Sequence, residues 1–345
     1  MTDTNHFKDW DLNHWAYQHE KPNVSAEFKS EPEDFIVTEK LGFELTGEGE
    51  NLFLLIEKRQ LNTQQVCEYL AKFFGRRLRD IGYAGLKDKQ SISRQWFSVQ
   101  MNVKQSPDLT GLDTENIKLL QYKRHGKKLK VGVLAANRFD IRLRNVTSFE
   151  ELDSRFSKVS KAGAPNYFGE QRFGFKGNNL NWANRMATGE QIRDKKIKGF
   201  AISAARSYLF NEVVSKRLHE NMYLTPLAGE VYLLAGSNSF FSQALDDEIL
   251  KRLMERDILL SAPLFGDGEL ASTDAAHELE CQVANSHDAW IELLKQQRLK
   301  QERRATNLLP ENMKWRTEGK DMIVSFELPA GCFATSVLRE CVNIV

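Results

Sequence analysis

Residues 82–90, GYAGLKDKQ, hold the side chain best suited to covalent chemistry. Asp88 stands between Lys87 and Lys89, two cations that favour its ionised form. An ionised, partly desolvated carboxylate can act as a nucleophile. Ala84 and Gly85 are small enough to let the backbone come close to a ligand. The same residues also read as a solvated Lys-Asp-Lys turn. They are no phosphate loop, since the G-x-x-x-x-G-K-[ST] pattern is missing. Cys67, Cys281, Cys332 and Cys341 are scattered, with no C-x-x-C pair and no histidine at ligand spacing, so reduced thiols and no metal site are expected.

Cations gather in three places. Lys123, Arg124, His125, Lys127, Lys128 and Lys130 form a run without an acid; Arg76, Arg77 and Arg79 form a second cluster, and Arg298, Lys300, Arg303 and Arg304 a third. With a net charge of only +1, local stripes of this kind suit a protein that grips a phosphate backbone along one face. Solvated faces are the plainer alternative for any one cluster. The 345 residues suit two domains, or one domain carrying a large insertion. No apolar stretch approaches the ~20 residues needed to span a bilayer. The first 15 residues carry acids and no apolar stretch, so no secretory signal and a cytoplasmic protein are expected.

The elements that must position the 82–90 loop alternate between strand and helix. Residues 35–39, 52–57 and 96–100 read as strands, and Phe139, Ile141 and Leu143 alternate with Asp140, Arg142 and Arg144 as a half-buried strand would. Asn62 with Gln65 forms a capping box for a helix carrying Val66, Leu70 and Phe73, and Gly75 stops it. Ser148 with Glu151 opens another. Residues 180–187, 201–221, 242–256 and 287–304 then read as helices, strand patterning returns at 322–328, and a last helix is expected over 334–342. A helical middle between strand-rich ends predicts an insertion into an α+β domain.

The loop around Asp88 resembles the catalytic motif of the TruD family of tRNA pseudouridine synthases, and further motifs of that family follow in order. They are Phe28-Lys29-Ser30 with PEDFIVTE at 32–39, His125 with Lys128-Leu129, Asn137-Arg138-Phe139, PNYFGEQRFG at 165–174, RSYLFN at 206–211, Glu302-Arg303-Arg304, and FATSVLRE at 333–340. The resemblance spans about residues 28–341. Lys89-Gln90-Ser91-Ile92-Ser93 is a variable version of the family segment, Cys332 stands where a small residue is expected, and the first 25 residues match no motif.

The resemblance implies an α+β fold with a mixed, mainly antiparallel sheet of the pseudouridine synthase type. It would be built from a catalytic domain at residues 1–162 and 312–345, with a largely helical inserted domain at 163–311. It implies that uracil is detached from its ribose, turned and rejoined through carbon, at uridine 13 in the D arm of tRNA, by a monomer without cofactor. Asp88 is the implied catalytic residue, adding covalently or helping to form a glycal-like intermediate, and Lys29 a cation paired with it. The target base must be splayed out of the folded RNA. Phe35, Phe139 and Phe333 take pocket-lining positions, and Asn137 a uracil-binding one. From the residues alone each phenylalanine reads equally as core. His125 stays open between general base, phosphate contact and structural residue; Gln171 and Arg172 stay open between RNA contact and a tie to the insertion. The rival is a non-catalytic RNA-binding or RNA-chaperone protein, against which the presence of Asp88 counts.

Overall fold

A computed structural model describes residues 8–87, 89 and 91–345 of the chain. The chain divides into two compact units. One comprises Pro22–Ser160, Pro310–Gly331 and Cys341–Val345; the other comprises residues 8–21 with Lys161–Leu309 and Cys332–Glu340.

The first unit is built on a ten-stranded, mainly antiparallel sheet. Its central path runs Glu311–Glu318, Asp321–Pro329, Leu134–Arg144, Phe35–Leu41, Ile92–Gln100, Asn51–Arg59, Ile117–His125. Phe35–Leu41 and Ile92–Gln100 run parallel, which makes the sheet mixed. The alternation read at 139–143 extends along Leu134–Arg144, where Asn137, Phe139, Ile141 and Leu143 are buried and the residues between them are not. Helix Thr63–Phe73 starts at the expected capping box, with Asn62 Oδ1 accepting from the Gln65 amide and Gln65 Oε1 from the Asn62 amide, each at 2.9 Å. Its face of Val66, Cys67 and Leu70 packs on Leu54, Ile56, Phe97 and Val99 of the sheet.

The second unit is α+β in its own right. Helices Asn178–Ala187, Lys195–His219, Asp274–Asn285 and Asp288–Gln296 surround a core of Leu180, Leu209, Phe210, Val213 and Leu294. It also holds a four-stranded sheet in the order Phe240–Ser242, Val231–Leu234, Ile258–Leu264, Glu302–Ala305. Two segments expected to be continuous helices therefore break: 242–256 is helical only over Asp247–Met254, and 287–304 only over Asp288–Gln296. Glu302–Ala305 has helix-forming residues but pairs with Ile258–Leu264, in a register where Arg303 meets the buried carboxylate of Glu280. Tertiary pairing overrides local propensity there.

Residues 8–21 complete this unit. Trp10 Nε1 donates to Asn181 Oδ1 at 3.0 Å, Trp15 Nε1 donates to Glu212 at 2.8 Å, and Trp15 stacks on Tyr167 at 5.8 Å. Gly177 has φ +75°, and a Cβ there would come within 2.7 Å of Trp10. Among the described residues no helix is long and apolar enough to cross a membrane.

Candidate active site

In the first unit, Phe35–Leu41 and Leu134–Arg144 pair so that Glu39 lies opposite Asn137, Val37 opposite Phe139, and Phe35 opposite Ile141. Period-two alternation puts all six side chains on one face, and all six are buried. Phe35 and Phe139 stack at 5.9 Å between ring centroids, within a chain of rings that continues to Phe28 at 5.4 Å and Phe326 at 5.6 Å. Both are core residues by burial, at 7% and 6% exposed.

Two polar networks hold the loop that leads to Asp88. Asp88 itself lies outside the described residues, as does Gln90. Thr63 Oγ1 accepts from the Lys87 amide at 2.9 Å and donates to Gln95 Oε1 at 3.0 Å. Gln95 Nε2 in turn donates to the Gly85 carbonyl at 2.7 Å. Thr63 and Gln95 are both buried, so these bonds act where water does not compete. The Lys87 side chain folds onto the sheet face, donating to Asn137 Oδ1 and lying 3.4 Å from Glu39 Oε1. Glu39 Oε2 accepts from the Trp96 amide at 2.9 Å. Burial raises the Glu39 pKa, and the Lys87 charge opposes that rise.

Further back, Gly82 is required by close approach, since a Cβ would fall 2.4 Å from Ser98 Oγ and 2.5 Å from the Leu129 carbonyl. Ala84 packs with Phe53, Trp96 and Leu129, whereas a Cβ on Gly85 would meet nothing. The two small residues thus differ: one fills core and the other faces open space.

Lys29 follows strand Ser25–Phe28 with φ +61°, and its ammonium lies 4.3 Å from the Phe35 ring centroid and 5.2 Å from that of Phe28. Cations over aromatic faces are attracted by the ring quadrupole. Phe35, Phe139, Lys29 and Asn137 are therefore gathered on the first unit. Phe333 belongs to the second, where it is half-buried beside Phe168 at 5.9 Å. Arg304 lies over Phe168 at 4.3 Å and donates to Asn166 Oδ1 at 2.6 Å; burial pushes its guanidinium down to about 10. Arg172 lies over Phe168 at 5.3 Å and donates to Ser203 Oγ at 2.9 Å, while Gln171 is exposed.

The basic clusters differ in burial and pairing. Arg303 is buried and pairs with Glu280 at 2.8 Å and Arg304 is half-buried, whereas Arg298 and Lys300 are exposed, so only part of the third cluster faces solvent. Arg124 donates to the Gly49 carbonyl at 2.9 Å and to those of Asn102 and Gln105, closing loops. Lys128 donates to the Arg79 carbonyl at 2.5 Å. Lys127, Lys130, Arg76, Arg77 and Arg79 remain exposed. His125 stacks on Phe43 at 4.9 Å and meets Phe53 edge-on at 5.4 Å, a structural setting.

Thr63, Gln95 and Glu39 were not singled out from the sequence. Only Glu39, inside the PEDFIVTE segment, carried a signal; Thr63 looked like an ordinary first helical residue and Gln95 like a strand residue before Trp96.

The α+β architecture is that of the pseudouridine synthase type. It is shared with the crystal structure of a Methanosarcina mazei protein described as a tRNA pseudouridine synthase D, with a TM-score of 0.74 and 20% identity over 95% of this chain and 96% of that one. The sequence pattern described as tRNA pseudouridine synthase D (TruD) matches residues 11–192 and 184–341. The tRNA pseudouridine synthase D of Pseudoalteromonas atlantica is 46% identical over 339 residues, 96% of this chain and 97% of the relative. That of Actinobacillus succinogenes is 43% identical over 335 residues, 96% and 98% of the two chains. The chain belongs to the tRNA pseudouridine synthase D family, a family of isomerases.

Proposed function

We propose that the chain isomerises uridine to pseudouridine in tRNA, at uridine 13 of the D arm, with Asp88 as the nucleophile. The observation that carries this reading is the anchoring of the Asp88 loop: Gly85 and Lys87 are tied by backbone and side chain to the buried groups of Gln95, Thr63, Glu39 and Asn137. These ties fix the chain that leads to position 88, and a nucleophile needs fixed supports if proximity is to gain rate.

The Asp88 carboxylate adds to the ribose anomeric carbon, or assists formation of a glycal, as the bond to N1 of uracil breaks. The freed base turns and carbon 5 bonds to the same ribose carbon as the Asp88–ribose bond breaks, or, on the glycal route, as the 2′ carbon regains the proton Asp88 had removed. The carbon 5 proton then leaves to solvent, and N1 of uracil takes up one proton. Atoms balance without a cofactor, and the product has the mass of the substrate. Lys29 keeps Asp88 ionised. Asn137, whose Oδ1 is engaged by Lys87, offers its Nδ2 hydrogens to a uracil carbonyl. Phe35, Phe139 and Phe333 stack nucleobases, a contact of about 1–3 kcal/mol per base, for which the buried rings of Phe35 and Phe139 must first be uncovered. The chemistry is assigned to the domain of residues 1–162 and 312–345, of which residues 8–21 and Cys332–Glu340 fold with the second unit; residues 163–311 form the inserted domain, and the protein acts as a cytoplasmic monomer.

Carbodiimide primer extension on tRNA from a strain lacking the gene tests the assignment. A stop at position 13 should disappear in the deletion strain and return on complementation. Its persistence in the deletion strain would contradict the substrate assignment.

A further inference from the structure

Four cations that the basic clusters above do not include, one before the cap and three in the first turn, gather at the start of helix Lys195–His219. Arg193, Lys195 and Lys196 are exposed and Lys198 is half-buried, and among the described residues none has a carboxylate within ion-pair distance. The one acid among them, Asp194, is spent on the helix cap, accepting from the Lys196 and Ile197 amides at 2.7 and 3.2 Å. Each cation also opposes the partial positive charge of the helix start, so helix formation gains nothing from them there.

Phe200 follows in the same strip. It is 59% exposed, although most of the chain's phenylalanines are at least partly covered. Residues three and four apart are neighbours on a helix surface, which aligns Lys196, Phe200 and Ser203. Ser203 accepts from Arg172 at 2.9 Å, so another cation joins the strip at its far end. Cations in a row with an uncovered aromatic ring between them match the needs of an RNA strand: charge for phosphates and a flat face for one unstacked base.

We infer that this strip, Arg193 to Arg172 through Phe200, is an RNA-binding surface that contacts the substrate's phosphate backbone and stacks one base on Phe200. The inference rests on the proposed tRNA reading and adds a contact surface to it, distinct from the Asp88 loop.

The test measures tRNA affinity as a function of salt, and single-turnover pseudouridine formation at saturating protein, for Lys195→Ala with Lys196→Ala, for Phe200→Ala and for Phe200→Leu. All these side chains are exposed, so melting temperatures should match wild type. The double lysine variant should weaken binding about tenfold at ~0.1 M salt and flatten the log–log slope by roughly 1.4–1.8, two phosphate contacts' worth. Phe200→Ala should weaken binding by about 5- to 150-fold, with Phe200→Leu little better because it lacks a stacking face. Rates at saturating protein should stay at wild type. Unchanged affinity and slope would overturn the inference, and so would equal weakening by a control pair, Lys251→Ala with Lys295→Ala. A slowed saturated rate with unchanged affinity would also overturn it. Should wild-type protein bind tRNA but form no pseudouridine, the functional reading fails, and the variants' affinities still decide the surface.

Discussion

Lys87 and Glu39 form an ion pair, Nζ to Oε1 at 3.4 Å, in which the carboxylate is fully buried and the ammonium nearly so. Two residues far apart in sequence thereby bind the Asp88 loop to the central sheet.

This pair sets a pH dependence. Burial raises the folded pKa of Glu39, with Lys87 opposing the rise. A raised carboxylate stabilises the fold fully below its unfolded value, and that contribution is lost as pH climbs through the folded one. Lys87→Met removes the opposing charge, so the loss should extend to higher pH. At neutral pH the uncompensated carboxylate should cost about 3–5 kcal/mol. Denaturant melts between pH 5 and 8 check this; coincident wild-type and variant curves would contradict it.

Phe139 should report core and pocket separately. Phe139→Ala should lose about 3–5 kcal/mol, since the ring packs between Phe35 and Phe326. Phe139→Leu keeps most of the volume, so it should melt near wild type yet turn over more slowly if the ring also serves a base. A Leu variant with wild-type single-turnover rate would remove Phe139 from the substrate pocket.

The cations of the 123–130 run should divide by what they touch. Lys128→Ala should lower the melting temperature, because its ammonium holds the Arg79 carbonyl. Lys127→Ala with Lys130→Ala should leave stability alone and flatten the salt dependence of tRNA binding by about 0.7–0.9 per contact. Melts beside salt titrations decide between them, and the reverse pattern would show that Lys128 is the phosphate contact.

Arg303 makes the opposite case. Its pairing with Glu280 is buried on both sides, so Arg303→Ala should destabilise by about 3–5 kcal/mol. Denaturant melts measure the loss, and the affinity of the surviving folded fraction for tRNA should be unchanged. A stable variant with weakened binding would return Arg303 to the RNA face.

These contrasts mark how far the sequence could be read. The Asn62–Gln65 cap, the alternation through Phe139 and the α+β class were legible because each rests on local spacing. Strand Glu302–Ala305 was not, because its pairing partner lies some forty residues away and the residues prefer a helix. The anchoring of the Asp88 loop was hidden for the same reason: strand pairing brings Glu39 beside the Gln95–Trp96 segment, and Thr63 reaches Gln95 from the helix that packs on the sheet. Charge counting misled at Arg303 and Arg304, since sequence shows a cation but not whether it is buried. Residues 8–21, in which the sequence showed no recognisable motif, fall within the family match from residue 11 onward and prove to be part of the second unit's core through Trp10 and Trp15.

The most direct test of the central claim is a single-turnover assay of Asp88→Asn on tRNA labelled with tritium at carbon 5 of uridine, whose release follows formation of the new carbon–carbon bond. The substitution is nearly isosteric and removes the charge. The protein should therefore bind tRNA as wild type does and release no tritium, because loss of a covalent nucleophile costs several kcal/mol in the barrier. Release above about a hundredth of the wild-type rate, a barrier change of less than roughly 2.7 kcal/mol, would contradict the assignment of Asp88.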